Sequence, residues 1–321
     1  MRNAICFFLA ACSLAGAASL GAENPEIQPI KVNHFKIAAS MFSDAQNWTD
    51  RQIVGEFRLQ NRTGTELWRV LGSEEKIQIK GTGDVCQARL GQLLERKPPE
   101  RFEGDIVVLV HGLCQTRAKM ETIETHLKNT SKLRVINFGY ASTQADIETH
   151  AAALGEVLQH AKPRAKVSFV GHSMGCIVVR SLLARNGKRD WKLGRVVMIA
   201  PPNQGAEMAR RLSGSRLVRT CLGPGFEQLA SDEPKGVASL RSPPCEFAVI
   251  AGTSPKWLLN SPLIAGDDDW IVGVNETRLA GAKAQACADS HHGDIVHEPK
   301  VLALTSQFLL HGDFDSRQEG K

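Results

Sequence analysis

Aromatic side chains are scarce, at 6% of 321 residues with a single tyrosine, and the Lys and Arg residues are scattered rather than gathered into a stripe. A nucleic-acid surface normally interleaves cations with stacking rings, so no nucleic-acid partner is expected. Spacings that hold a metal, such as C-x-x-C or H-E-x-x-H, do not occur, and no cofactor is expected. There is no internal repeat and no low-complexity tract. Beyond the N-terminal segment no apolar run approaches the length that crosses a bilayer. The net charge of +5 is mild. It reads as a solvated basic exterior, with contact with an anionic lipid surface as the alternative.

What is present begins with an export signal. Arg2 supplies a positive start, residues 4–18 are apolar, and small residues at Ala15-Gly16-Ala17 and Gly21-Ala22 suit a signal peptidase. Residues 1–22 are therefore expected to be removed, leaving a periplasmic or secreted chain. Leu9-Ala10-Ala11-Cys12 also resembles a lipobox, which would instead anchor the chain through a lipid on Cys12. Removal of the signal leaves Cys86, Cys114, Cys176, Cys221, Cys245 and Cys287. In an exported chain these suggest disulfides. Cys221 and Cys245 flank one insertion and form the expected pair, while Cys114 and Cys176 either pair or stay as buried thiols.

The pattern then divides the chain. Residues 23–104 form an N-terminal β-rich extension, with alternating stretches at 56–60 and 76–80 and a short helix at 86–96 that Pro98-Pro99 ends. It carries no recognisable chemistry. Over residues 105–314, apolar strands at 106–110, 133–138, 167–170, 195–200 and 246–251 alternate with helices at 146–160, 176–184 and 301–310. This predicts an α/β fold with a mostly parallel, doubly wound sheet covered on both faces. Residues 203–244 interrupt it as a lid or cap insertion, apolar at Leu212, Leu217, Val218, Leu222, Phe226 and Leu229 and basic at Arg210, Arg211, Arg216 and Arg219. Chemistry in such sheets collects at the carboxyl ends of the strands, where His111, Tyr140, Ser173 and Pro201 all fall.

The most specific stretch is Val167 to Cys176, V-S-F-V-G-H-S-M-G-C. A strand, G-x-S-x-G and a helix in that order describe a nucleophile elbow, whose glycines leave room for a turn too tight for side chains. Ser173 would stand exposed at the turn, with the Met174 amide free at a helix N-terminus to stabilise an oxyanion. A serine hydroxyl needs a base, and the base a carboxylate, both expected downstream in the order Ser, acid, His. The downstream histidines are His291, His292, His297 and His311. His311 reads as a helix end and His297 as part of a turn, which leaves His291 and His292. The acid candidates are Asp267, Asp268 and Asp269, with a solvated or calcium-binding turn as the alternative reading of that run. His111 and His172 read as supports of the turns, and Tyr140 either lines an acyl pocket or packs beside the elbow.

Taken together, His111-Gly112-Leu113, Phe138-Gly139-Tyr140-Ala141-Ser142-Thr143, the elbow, Pro202-Asn203-Gln204-Gly205-Ala206, Ile250-Ala251-Gly252-Thr253 and Asp269-Trp270-Ile271-Val272-Gly273-Val274 carry a family likeness. Over roughly residues 103–314 the chain resembles the bacterial lipase and GPI inositol-deacylase-like branch of the α/β-hydrolases. The resemblance implies Asp269 as the acid, His292 as the base, and the Leu113 and Met174 amides as the oxyanion hole. Trp270 departs from it, where the family often has glycine, as does Asp294, where an apolar residue is common. The implied function is hydrolysis of carboxylic esters or lipids through an acyl-enzyme. Acyl transfer, thioester or amide cleavage on the same machinery, and a non-catalytic envelope binding protein, are the alternatives.

Overall fold

The computed structural model describes residues 43–97, 105–160, 165–185, 189–231, 236–254 and 260–314. The expected export signal, with the lipobox cysteine, lies outside these residues. Strands β1 (Trp48–Val54), β2 (Phe57–Arg62), β3 (Trp68–Leu71) and β4 (Ile77–Gly81) form an antiparallel sheet in sequential order, followed by helix α1 (Gly83–Arg96). Their small core is Phe57, Leu59, Val70, Cys86 and Leu90. The sheet is tied to the rest of the chain through β1. Asp50 is fully buried, and its carboxylate accepts from Arg58 at 2.6 Å, Gln60 at 2.8 Å and the Gly139 N–H at 2.7 Å. A buried carboxylate with three donors is stable because each lone pair lost from water is replaced.

The remaining strands, β5 (Ile106–Val110), β6 (Arg134–Phe138), β7 (Lys166–His172), β8 (Lys192–Ile199), β9 (Phe247–Thr253) and β10 (Ala284–Asp289), form one sheet in the order β10-β9-β8-β7-β5-β6. Every pairing in it is parallel. Strand alternation sorts the apolar run of β5 between two cores. Ile106, Val108 and Val110 join α3 (Ile147–Gln159) and α4 (Met174–Ala184) on one face. Val107 and Leu109 join α2 (Glu121–Thr130) and the C-terminal helix on the other. The unbroken hydrophobicity of β5 is thus the signature of a strand covered twice. Because β6 and β7 lie on opposite sides of β5, the strand order reverses there, and the carboxyl ends of β5 and β7 are where such sheets gather their chemistry.

The insertion folds as α5 (Glu207–Leu212) and α6 (Arg216–Ala230), the latter kinked at Gly223-Pro224. Its apolar residues Val218, Leu222, Phe226 and Leu229 are buried in the main core. Beyond it lie α7 (Val274–Thr277) and α8 (Pro299–His311). Both ends of the insertion are held by one side chain. Arg180, on the fully buried stretch of α4, donates from Nη1 to the main-chain and side-chain oxygens of Asn203, each at 3.1 Å, from Nη2 to the Leu240 carbonyl, and from Nε to the Arg241 carbonyl at 3.4 Å. Burial lowers its pKa to about 10, which still leaves the guanidinium charged at neutral pH.

The expected disulfides do not form. Among the described residues Cys221 and Cys245 are not joined to each other, and both carry free thiols. A bridge needs Cβ atoms about 4 Å apart. Cys245 packs against the main core, a cluster that does not include Cys221. Cys176 is fully buried and donates to the Ile199 carbonyl, Cys86 sits inside the N-terminal core, and Cys287 is exposed on the edge strand.

Arg180→Met should lower stability by about 3 kcal/mol, since it strands several buried oxygens without a donor. A melting temperature equal to that of the wild type would contradict the clip.

Candidate active site

The elbow begins where β7 leaves the sheet. His172 pairs with Ile199 of β8, and the Ser173 N–H donates to the Ile199 carbonyl at 2.9 Å, so the serine is the first residue past the sheet edge. Its backbone has φ 53° and ψ −127°, a conformation costing about 1–3 kcal/mol that persists only where the surroundings impose it. Two glycines impose it. A Cβ on Gly171 would lie 2.7 Å from the Cys176 nitrogen, and one on Gly175 would lie 2.2 Å from the Val110 oxygen and 2.5 Å from that of His111. Helix α4 therefore starts directly against the end of β5. The Met174 N–H is one of the first N–H groups of that helix, which have no intrahelical acceptor.

Three side chains meet at the sheet edge. His292 Nε2 lies 2.8 Å from Ser173 Oγ, and His292 Nδ1 lies 2.7 Å from Asp269 Oδ2. The other oxygen of Asp269 accepts the Val272 N–H at 2.8 Å and the Ile271 N–H at 3.1 Å. The His292 N–H donates to the Asp269 carbonyl at 2.9 Å, which fixes the loop as well as the ring. Asp269 is fully buried, and Ser173 and His292 are 7% and 8% exposed. Gly252, at the end of β9, makes room: a Cβ there would stand 2.7 Å from that of Asp269.

The neighbouring candidates are placed elsewhere. Asp268 is buried and accepts from the Ser261 N–H at 3.0 Å and the Trp270 N–H at 2.7 Å. Burial pushes its carboxyl up to about 6. Asp267 is exposed and lies 3.4 Å from the Asn260 amide. His291 stacks obliquely toward Trp270, with ring centroids 6.4 Å apart. Trp270 has φ 78°, a left-handed backbone that favours glycine, and its N–H donates to Asp268 whereas the next two N–H groups, of Ile271 and Val272, donate to Asp269. His297 contacts Thr122 and Lys119, and His311 ends α8.

The supporting histidines brace the turns. His111 Nδ1 lies 2.9 Å from the Gly112 oxygen, and the Tyr140 hydroxyl donates to the His111 carbonyl at 2.6 Å. Tyr140 packs beside the elbow, fully buried between His111 and His150. Leu113 follows β5 and packs against the main core. A Cβ on Gly112 would lie 3.0 Å from that of Ser173, so this strap runs directly beside the serine. Gln115, which sequence reasoning passed over, holds the strap. Its Oε1 accepts the Gly112 N–H at 3.0 Å and lies 3.0 Å from His172 Nδ1. No motif marks a glutamine whose partners lie 57 residues away.

Sheet order, elbow and the acid and histidine loops after β9 and β10 define the α/β-hydrolase fold. Residues 83–234 match a family model described as a domain of unknown function, DUF7379. Among solved structures, the chain is similar to a gene product of Listeria innocua, lin2722, at 16% identity and a TM-score of 0.45, over 65% of this chain and 94% of that one. It is similar to the hydrolase olei00960 of Oleispira antarctica at 13% identity and 0.45, over 65% and 92%. The Bacillus licheniformis lipase BlEst2 in its propeptide form aligns at 18% identity and 0.42, over 62% of this chain and 49% of that one.

Two buried histidines give stability a pH dependence. Burial lowers His111 and His150 to about 4 from the ordinary 6.5. The unfolded chain binds these protons first, so the stability present above pH 6.5 is lost as pH falls toward 4, by about 2 kcal/mol per histidine at pH 5. Asp268, raised to about 6, acts in the opposite sense and offsets part of this loss. The melting temperature should fall between pH 7 and pH 5, and less steeply in His150→Phe. An identical slope in that variant would contradict the assignment.

Proposed function

We propose that the protein is a serine hydrolase cleaving carboxylic esters, with Ser173 as nucleophile, His292 as base and Asp269 as its orienting acid. The observation that carries this reading is the pair of short hydrogen bonds from Asp269 through His292 to Ser173 Oγ. In the proposed reaction Ser173 Oγ attacks the acyl carbonyl while His292 Nε2 takes its proton. Asp269 holds the Nδ1–H and stabilises the imidazolium. The oxyanion is received by the N–H groups of Met174 and Leu113, where charge that develops in the transition state is stabilised most. Collapse of the intermediate expels the alcohol, which leaves with the proton from His292. Water then hydrolyses the acyl-enzyme by the same route in reverse.

An apolar acyl group suits the surroundings. Leu113 and Met174 share the main core with Leu222 and Phe226 of α6, and a Cβ on Gly225 would lie 2.9 Å from the Met174 sulfur. Leu217 is exposed beside Arg216, which favours contact of this segment with a lipid surface. The sequence of residues 1–22, read as an export signal, favours an activity in the periplasm or outside the cell. Within the fold, the ordered motifs favour the lipase and inositol-deacylase-like branch.

The mature protein should hydrolyse a short-chain p-nitrophenyl ester. Ser173→Ala and His292→Ala should each lower kcat by about a thousandfold or more, whereas His291→Ala should stay within about tenfold of wild type. Undiminished hydrolysis by Ser173→Ala would sink the proposal.

A further inference from the structure

Three chain segments converge on Ser173: the strap 111–115 after β5, the elbow after β7 and the His292 loop after β10. A single pair of side chains links all three. His172, the residue before the nucleophile, is fully buried, with Nε2 2.9 Å from the His292 main-chain oxygen and Nδ1 3.0 Å from Gln115 Oε1. That same Gln115 oxygen accepts the Gly112 N–H at 3.0 Å. The Gly112 contact determines which way the Gln115 amide is turned, because its NH2 group in that place would oppose a second donor. The strap needs such a hold. Cys114 has φ 58°, a left-handed conformation for a side-chain-bearing residue, directly after Leu113.

We propose that Gln115 is a positioning residue for the oxyanion hole, holding the Leu113 amide in place by accepting the Gly112 N–H and engaging the His172 ring. This rests on the hydrolase reading above and deepens it. The 3-10 turn Asp44–Asn47 that precedes β1 secures the other side of the glutamine: the Gln46 amide donates to the Gln115 main-chain oxygen at 2.8 Å, and Gln46 Oε1 accepts from the Ser142 hydroxyl at 3.2 Å. Both faces of the strap are therefore anchored, one to the elbow and one to the extension.

His172 makes the hold selective. Both of its ring nitrogens face oxygens that only accept, whereas a neutral imidazole carries one N–H. Burial, reinforced by the neighbouring His292 and Lys119, holds the ring well below the ordinary histidine range, so it is neutral at pH 7. The single N–H therefore donates either to the Gln115 amide oxygen on the strap or to the His292 carbonyl on the base loop, according to the tautomer. Gln115 does not depend on that proton, because the Gly112 N–H supplies its own.

The side chain of Gln115 is only partly buried, and its loss should leave the fold intact. With a p-nitrophenyl ester, Gln115→Met should lower kcat about ten- to a hundredfold while KM stays within about twofold, because a displaced amide weakens the transition state more than substrate binding. Gln115→Asn, one methylene too short to reach both partners, should lose kcat to an intermediate degree, and it carries the test if the methionine variant melts early. Wild-type kcat in both variants, or a loss confined to KM, would overturn the inference. A wild-type protein inert toward esters would instead overturn the hydrolase reading itself.

Discussion

Gly175 lies so close to the Val110 and His111 carbonyls that no side chain fits between them. That approach brings the start of α4 against the end of β5 and forces Ser173 out of ordinary backbone geometry. Strap, Ser173 and helix terminus are consequently neighbours by construction. His292 and Asp269 can then arrive from loops far along the chain, because the sheet edge to which they dock is already defined. The hydrogen bond from the His292 N–H to the Asp269 carbonyl joins those two loops to each other before their side chains meet.

The parts outside the central sheet act on this edge as well. Asp50 of β1 captures the Gly139 N–H, and the segment that follows presents Tyr140, whose hydroxyl holds the His111 carbonyl. The N-terminal sheet thus supports the floor of the site rather than standing apart from it. From the opposite side, Arg180 ties both ends of the α5–α6 insertion to the helix that follows Ser173. A buried guanidinium surrounded by carbonyl oxygens is costly to desolvate, and its five donors are what make one residue sufficient for the task.

Much of this was legible in the sequence where one physical signal dominated. An unbroken apolar run announced β5, and the glycines of the elbow announced the turn and Ser173. Strand β10 was not anticipated, because an edge strand of Ala, Gln and Cys has no hydrophobic signature. Helix α2 and strands β1 and β3 were missed for a related reason: their polar faces dilute the periodicity. The choice among three consecutive aspartates rests on which carboxylate meets His292 from a loop 23 residues away, which family likeness could address and composition could not. Gln115, Asp50 and Arg180 were invisible because their roles are set by partners at long range. The expected disulfide was an inference from compartment alone, and packing of the individual cysteines overrides it.

The central claim is that Ser173 is an activated nucleophile in a preformed site. Treatment of the protein with a fluorophosphonate, followed by intact mass and peptide mapping, tests it most directly. One stoichiometric adduct located on Ser173, and its disappearance in His292→Ala, is the result this account requires. An unmodified protein, or an adduct on another residue, would contradict it.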